Sequence, residues 1–163
     1  MTKAFESHSG GCQCGAIRYR ITGSLGSAGI CHCRMCQKAF GAPAAVLVSV
    51  PLEDFHWTRG KPATFRSSPI VARGFCPQCG TPLFMLEDQS PVIEMAVCTL
   101  DDPAAAPPHH QVGIESKIPW ADGLPALPGH TTERDRTPED LARLKSRQHP
   151  DHDTEHWPTE HWP

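Results

Sequence analysis

Seven of the eight cysteines in this 163-residue chain fall into three tight groups, Cys12-Gln-Cys14, Cys31-His-Cys33-Arg-Met-Cys36 and Cys76-Pro-Gln-Cys79. Thiols spaced this closely are candidates for oxidation or for metal binding. Disulfide pairing within the groups would strand one thiol, because their number is odd, and the opening residues Met1 to His8 hold no apolar run resembling a secretory leader. A reduced, cytoplasmic protein organised around metal is therefore expected.

Seven ligands divide naturally into a set of four and a set of three. A structural zinc ion is typically held by four protein ligands, whereas a catalytic one keeps three and leaves a position for water or substrate. Cys76 and Cys79, followed by Gly80, have the spacing of a knuckle, a tight turn that aims two sulfurs at one ion. A knuckle supplies only half of a closed site. Its partner pair is either Cys12 with Cys14 or two of Cys31, Cys33 and Cys36, and spacing alone leaves both choices open.

The rest of the composition narrows the class of protein. About a quarter of the chain lies beyond the last plausible core segment, which leaves roughly 130 residues for a single modest domain, a size at which metal helps the core. No apolar run approaches the roughly 20 residues of a membrane span. A formal net charge of −3 offers no basic face for nucleic acid.

Strand signals dominate the first hundred residues. Ala16 to Thr22 alternates apolar and polar side chains before Gly23, and Ala44 to Val50 is a β-branched run stopped by Pro51. Thr64 to Ser67, Pro82 to Leu86 and Val92 to Leu100 extend the series, with glycine and proline between them. Seventeen prolines argue against long helices. The one persuasive helix follows Thr137, a cap residue, with Pro138 in the first turn and Leu141 and Leu144 on one face.

From Thr131 the composition changes to charged and histidine-bearing sequence, ending in Thr154-Glu-His-Trp-Pro158 repeated as Thr159-Glu-His-Trp-Pro163. Five residues are too few for a packing unit, so the duplication reads as low-complexity sequence on a flexible extension. Deleting Thr137 to Pro163 is expected to leave the core intact. The opposing reading has Trp157 and Trp162 anchoring the tail, with His156 or His161 near metal.

Three runs carry a family resemblance: Gly10 to Tyr19 around the first cysteines, Cys31 to Lys38 with Gly41, and Ser67 to Leu83 around the knuckle. Together with Thr99-Leu-Asp-Asp-Pro103, Glu115 to Trp120 and Asp122 to Pro125, they resemble the glutathione-dependent formaldehyde-activating enzyme family, which includes centromere protein V. The likeness spans residues 8–130 and leaves 131–163 as a C-terminal extension. It implies a mainly β chain with a β-tent fold of antiparallel sheets stapled by zinc. It also implies two Zn²⁺ ions, a structural one on Cys12, Cys14, Cys76 and Cys79 and a catalytic-type one on Cys31, Cys33 and Cys36.

The implied activity is that of a carbon–sulfur lyase resembling S-(hydroxymethyl)glutathione synthase. A small-molecule thiol such as glutathione adds to formaldehyde, or the adduct is cleaved. The alternative is a non-catalytic zinc-stabilised binding or scaffold module. Around the three-cysteine run, Arg34 and Lys38 can offset thiolate charge or meet substrate carboxylates, and His32 faces away from its flanking sulfurs if the segment is extended. His109 and His110 are surface or hydrogen-bonding residues that could also supply an acid/base. Phe40 with Gly41 can wall a pocket. Cys98 is expected to be a buried small hydrophobe and Trp120 an aromatic closing the core.

Overall fold

The computed structural model describes residues 6–158. The chain is mainly β. Strands β1 (Ser7–Gly11), β2 (Arg18–Thr22) and β3 (Ala28–Cys31) lead into helix α1 (Arg34–Phe40), and β4 (Ala45–Pro51), β5 (Phe55–Arg59), β6 (Ala63–Arg66), β7 (Val71–Phe75), β8 (Pro82–Glu87) and β9 (Val92–Ala96) follow. A short β10 (His110–Val112) and helix α2 (Pro138–Arg143) complete the regular elements. α2 has the cap read from sequence, with the Asp140 N–H donating to Thr137 Oγ1 at 3.2 Å.

Two sheets result, one of three strands in the order β1-β2-β5 and one of seven in the order β10-β3-β4-β9-β8-β7-β6. Every pairing is antiparallel except β10 with β3, which makes the larger sheet mixed. The main core fills with Tyr19 and Ile21 from β2 and with Val48, Val50, Ile93 and Met95 from the central strands of the large sheet. These positions alternate along their strands, as period-two side-chain geometry requires. A chain of rings crosses between the sheets. Phe55 meets Trp57 edge-on at 4.8 Å between centroids, and Trp57 reaches Phe84 of β8 at 5.8 Å. Tyr19 is fully buried with its hydroxyl 2.9 Å from Thr99 Oγ1.

Several sequence expectations need correction. The run from Val92 to Leu100 is a strand only to Ala96, after which a 3-10 turn, Val97–Thr99, bends the chain as Thr99 Oγ1 donates to the Ala96 carbonyl. That turn carries Cys98 to the surface, so it is exposed and not a core residue. Trp120 is also exposed, at 57 %, because the segment Pro119–Ala126 is a surface 3-10 run with no buried residue. Helix α1 is not among the elements read from sequence, since its cap is Cys33 and not one of the usual cap residues.

The segment 149–157 returns to the β1–β2 turn, so this part of the tail is docked, Trp157 included, as in the opposing reading and not as a flexible extension. Arg18, 2 % exposed, donates to both Asp101 oxygens at 2.7 and 2.5 Å and to Asp153 Oδ1 at 2.9 Å. Burial works against the Asp101 carboxylate, but hydrogen bonds from Arg18 and Ser9 outweigh it and hold its pKa below the ordinary value. Arg20 reaches the other Asp153 oxygen at 2.5 Å. His149 is buried against Gly15, whose positive φ and missing side chain admit the imidazole, since a Cβ there would collide with the ring. Of the duplicated peptide, Thr154 to Pro158 is described, whereas His161 and Trp162 lie outside the described residues.

Candidate functional site

Two thiol groups assemble. Cys12 and Cys14, in the turn after β1, meet Cys76 and Cys79 from the β7–β8 connection, and all four sulfurs lie within 4.8 Å of one another. Of the two partner pairs that spacing allowed, Cys12 with Cys14 is the one that lies beside the knuckle. The Cys12–Cys14 and Cys14–Cys76 sulfur separations are 3.5 and 3.8 Å. A disulfide requires about 2.05 Å, whereas the edge of a tetrahedron with metal–sulfur bonds of about 2.3 Å is about 3.8 Å. The donor set therefore fits one tetrahedral ion.

Local hydrogen bonds prepare this group. The Ile17 N–H donates to Cys12 Sγ at 3.2 Å, and Thr81 Oγ1 lies 3.1 Å from Cys79 Sγ. Burial opposes ionisation of Cys79, but donation from Thr81 and from backbone N–H groups prevails and brings its pKa down to about 6. Burial pushes the Cys76 thiol up to about 11, so without an ion Cys76 and Cys79 differ in their readiness to ionise. Outside the sulfurs, consecutive carbonyls of the same turn are taken up by other parts of the chain. The His149 N–H donates to Gln13 O at 2.8 Å, Trp157 Nε1 to Cys14 O at 2.7 Å and Arg59 Nη1 to Gly15 O at 3.2 Å.

The second group contains Cys31, Cys33 and Cys36, again with all sulfurs within 4.8 Å. Cys31 ends β3, Cys33 caps α1 by accepting from the Cys36 N–H at 3.4 Å, and Cys36 lies in the first turn. Arg73 of β7, 3 % exposed, donates from Nη2 to Cys36 Sγ at 3.4 Å. Burial raises the Cys31 thiol to about 12. For Cys33 burial also acts upward, but the Cys36 N–H, hydrogen bonds from its two neighbouring thiols and the Arg73 charge outweigh it, so its pKa falls. Three convergent sulfurs with a buried guanidinium beside them are a donor set suited to a thiophilic cation.

The loop that carries these thiols is pinned by residues with no evident motif. Gln37 is buried and donates from Nε2 to the carbonyls of His32 at 2.7 Å and Ser116 at 2.9 Å. His32 is buried, with Nε2 2.8 Å from Gln111 Oε1, which suits the structural role read for it. Phe40 packs against the thiol group.

The sequence matches the family described as glutathione-dependent formaldehyde-activating enzyme over residues 7–116, more than half of the chain, and both thiol groups lie inside that span. The chain belongs to the glutathione-dependent formaldehyde-activating enzyme family. A crystal structure of a Rhodobacter sphaeroides protein is similar in fold, with a TM-score of 0.52 at 21 % identity, covering 64 % of this chain and 99 % of that one. No curated protein matches significantly. No described helix is long and apolar enough to cross a membrane.

Beside the three thiols this family member has two concavities of different character. A cavity of about 280 Å³ opens on the face of the large sheet, where Cys31, Leu47, Ser49, Met85, Glu94 and His110 are among its walls. His110, weighed in the sequence as a surface residue or an acid/base, reaches this cavity because Gly29 opposite it lacks a side chain, and a Cβ there would run into the imidazole. His109 instead sits 3.2 Å from Ser27 Oγ. A separate groove is lined by Arg34, Lys38, Arg66 and Arg73 with Met35 and Phe65. Glu94 and Arg73 were not singled out in the sequence. The only available signal for Glu94 was a charged residue in the middle of an apolar strand.

Proposed function

We propose that the protein is a zinc-dependent carbon–sulfur lyase-type enzyme that joins a small thiol to formaldehyde, or cleaves the resulting S-hydroxymethyl adduct, with glutathione as a candidate thiol. Support comes first from the three-sulfur group, of which Cys31 lines a cavity large enough for a small organic molecule. In this reading Cys12, Cys14, Cys76 and Cys79 hold a structural Zn²⁺, and Cys31, Cys33 and Cys36 hold a second, catalytic-type one. The two sheets are assigned the β-tent arrangement, and residues 8–130 are the functional domain, to which 131–163 is an extension.

Zinc bound by three thiolates supplies a site that favours an incoming thiol in its deprotonated form. The protein's own residues do the rest. Arg73 offsets the negative charge that three thiolates leave on the site, and Gln37 and His32 keep their loop in place. Addition forms a carbon–sulfur bond between the thiol sulfur and the aldehyde carbon. The carbonyl π pair moves to oxygen, and the proton lost by the thiol is returned to that oxygen. His110, in the wall shared with Cys31, is the residue assigned to carry it. Cleavage runs the same steps backward.

The test is exchange NMR on the zinc-loaded full chain with glutathione and formaldehyde, which measures interconversion of free and S-hydroxymethyl thiol at equilibrium. Wild-type protein should accelerate exchange above the uncatalysed rate, and Cys31→Ser should abolish the acceleration while retaining one zinc ion. No acceleration at full zinc loading would favour a non-catalytic zinc-stabilised module instead.

A further inference from the structure

The cavity beside Cys31 has a charge inventory that the family likeness does not foretell. Its walls hold two carboxylates, Glu87 and Glu94, with His110, and neither lysine nor arginine. The basic side chains nearest the thiols belong to the other groove. Among the described residues, no salt bridge involves Glu87 or Glu94.

Glu94 is the more constrained of the two. It lies in β9, between β4 and β8, opposite Ser49 on one side and Met85 on the other. All three side chains project to the cavity face, because register places Gly29 against Leu47 and Ser49 against Glu94 along the same pleat. Ser49 Oγ donates to Glu94 Oε1 at 2.6 Å, which fixes the carboxylate, and no protein group among the described residues bonds to Oε2. A carboxylate is disfavoured in the interior of a strand and is only partly exposed here. It also stands in the cavity that Cys31 borders, near a centre that carries net negative charge with three thiolates on a divalent ion.

We infer that Glu94 is a specificity-determining residue that receives the ammonium group of the substrate, so that the cavity selects aminothiols over thiols bearing only carboxylates. The inference rests on the open-site reading proposed above. A positively charged group on Glu94 Oε2 gains a charge-assisted hydrogen bond and relieves the repulsion between the carboxylate and the thiolate centre. A substrate carboxylate at the same position adds a third negative group. Met85 and Leu47 provide the apolar wall against which a short methylene chain can lie.

The probes are three thiols of similar size, 2-aminoethanethiol, 2-mercaptoethanol and 3-mercaptopropionate, titrated into the full chain loaded with Co²⁺. Binding is read from the sulfur-to-cobalt charge-transfer band. Because the three thiols differ in acidity, the informative quantity for each is the ratio of wild-type to Glu94→Gln affinity. Glu94→Gln keeps an oxygen for Ser49 and nearly the same volume. The expected result is a loss of roughly ten- to a hundredfold for 2-aminoethanethiol, the span of a hydrogen bond to a charged partner. Little change is expected for 2-mercaptoethanol, and 3-mercaptopropionate should gain. Equal effects on all three probes, or no effect on 2-aminoethanethiol, overturns the assignment of Glu94 while leaving the open site standing. If no thiol perturbs the wild-type cobalt spectrum, the open-site reading fails and this inference falls with it. Ser49→Ala, which frees the carboxylate without removing its charge, should reduce the preference partly and supplies an independent check.

Discussion

Replacing Trp157 by alanine tests whether the returning tail helps to hold the four-thiol turn. The indole packs partly buried against the main core, and its Nε1–H donates to the Cys14 carbonyl at 2.7 Å. Truncating a fully buried tryptophan costs about 3–5 kcal/mol, and partial burial reduces the packing share to about 2 kcal/mol. Loss of the hydrogen bond adds about 1 kcal/mol, since the carbonyl it leaves can be rehydrated. The sum, about 3 kcal/mol, is an upper value because the tail can undock without the core unfolding. With a urea dependence of about 2 kcal/mol per molar, the midpoint should fall by about 1–1.5 M. Zinc should also leave faster to a chelator, since the turn bearing Cys12 and Cys14 loses a tie. Trp157→Phe, which retains most of the apolar contact, should shift the midpoint by about 0.5 M, the equivalent of the hydrogen bond alone. A midpoint for Trp157→Ala within about 0.3 M of wild type, with unchanged chelator kinetics, would refute the argument.

Other expectations follow from the same contacts. Cys12→Ser or Cys76→Ser should cost most of the metal-coupled folding energy, on the order of 10 kcal/mol, and give insoluble or unfolded protein, whereas Cys33→Ser should lose one zinc and remain folded by circular dichroism. Asp101→Asn removes the closer of the two carboxylates on the buried Arg18 while Asp153 remains, and should destabilise by about 1.5–3 kcal/mol in chemical denaturation. Burial, aided by the charges of Arg18 and Arg59, depresses the His149 pKa below its ordinary value of 6.5. Its contribution to stability is thus complete above about 6.5 and is lost as pH falls through the depressed folded value. The urea midpoint should drop between pH 7.5 and 5.5 in wild type and change less in His149→Gln.

The thiol groups were legible because cysteine spacing is a local signal, and both form as geometric units that could hold an ion. The alternating run at Arg18–Thr22 and the apolar run at Ala45–Pro51 were equally readable, although the second strand includes the Pro51 expected to stop it. What escaped depends on distant partners. Ser7–Gly11 is rich in small and polar residues and is a strand because β2 pairs with it. Arg73 drew no notice in the sequence, because only the pairing of β7 brings it to Cys36. Cys98 and Trp120 sit in apolar or proline-flanked sequence that favours burial on average, but the 3-10 geometry of their segments turns them outward. Trp157 was weighed as an anchor because of its large apolar ring, but the docking of His149 had no local signature, since it depends on a glycine 134 residues upstream that leaves space for an imidazole.

That return of the tail has a consequence for how the molecule is made. Trp157 pairs with a carbonyl 143 positions earlier, and Asp153 with an arginine 135 positions earlier. Contacts of such sequence separation form late, and during synthesis they are unavailable until Asp153 and Trp157 have left the ribosome. Cys12 and Cys14 emerge before Cys76 and Cys79, and well before Trp157, so they wait for these partners before their turn is fully tied. During that interval the nascent chain displays reactive sulfur to whatever oxidants and metals surround it, so the order of translation makes these early thiols the point at which biogenesis is most exposed to error.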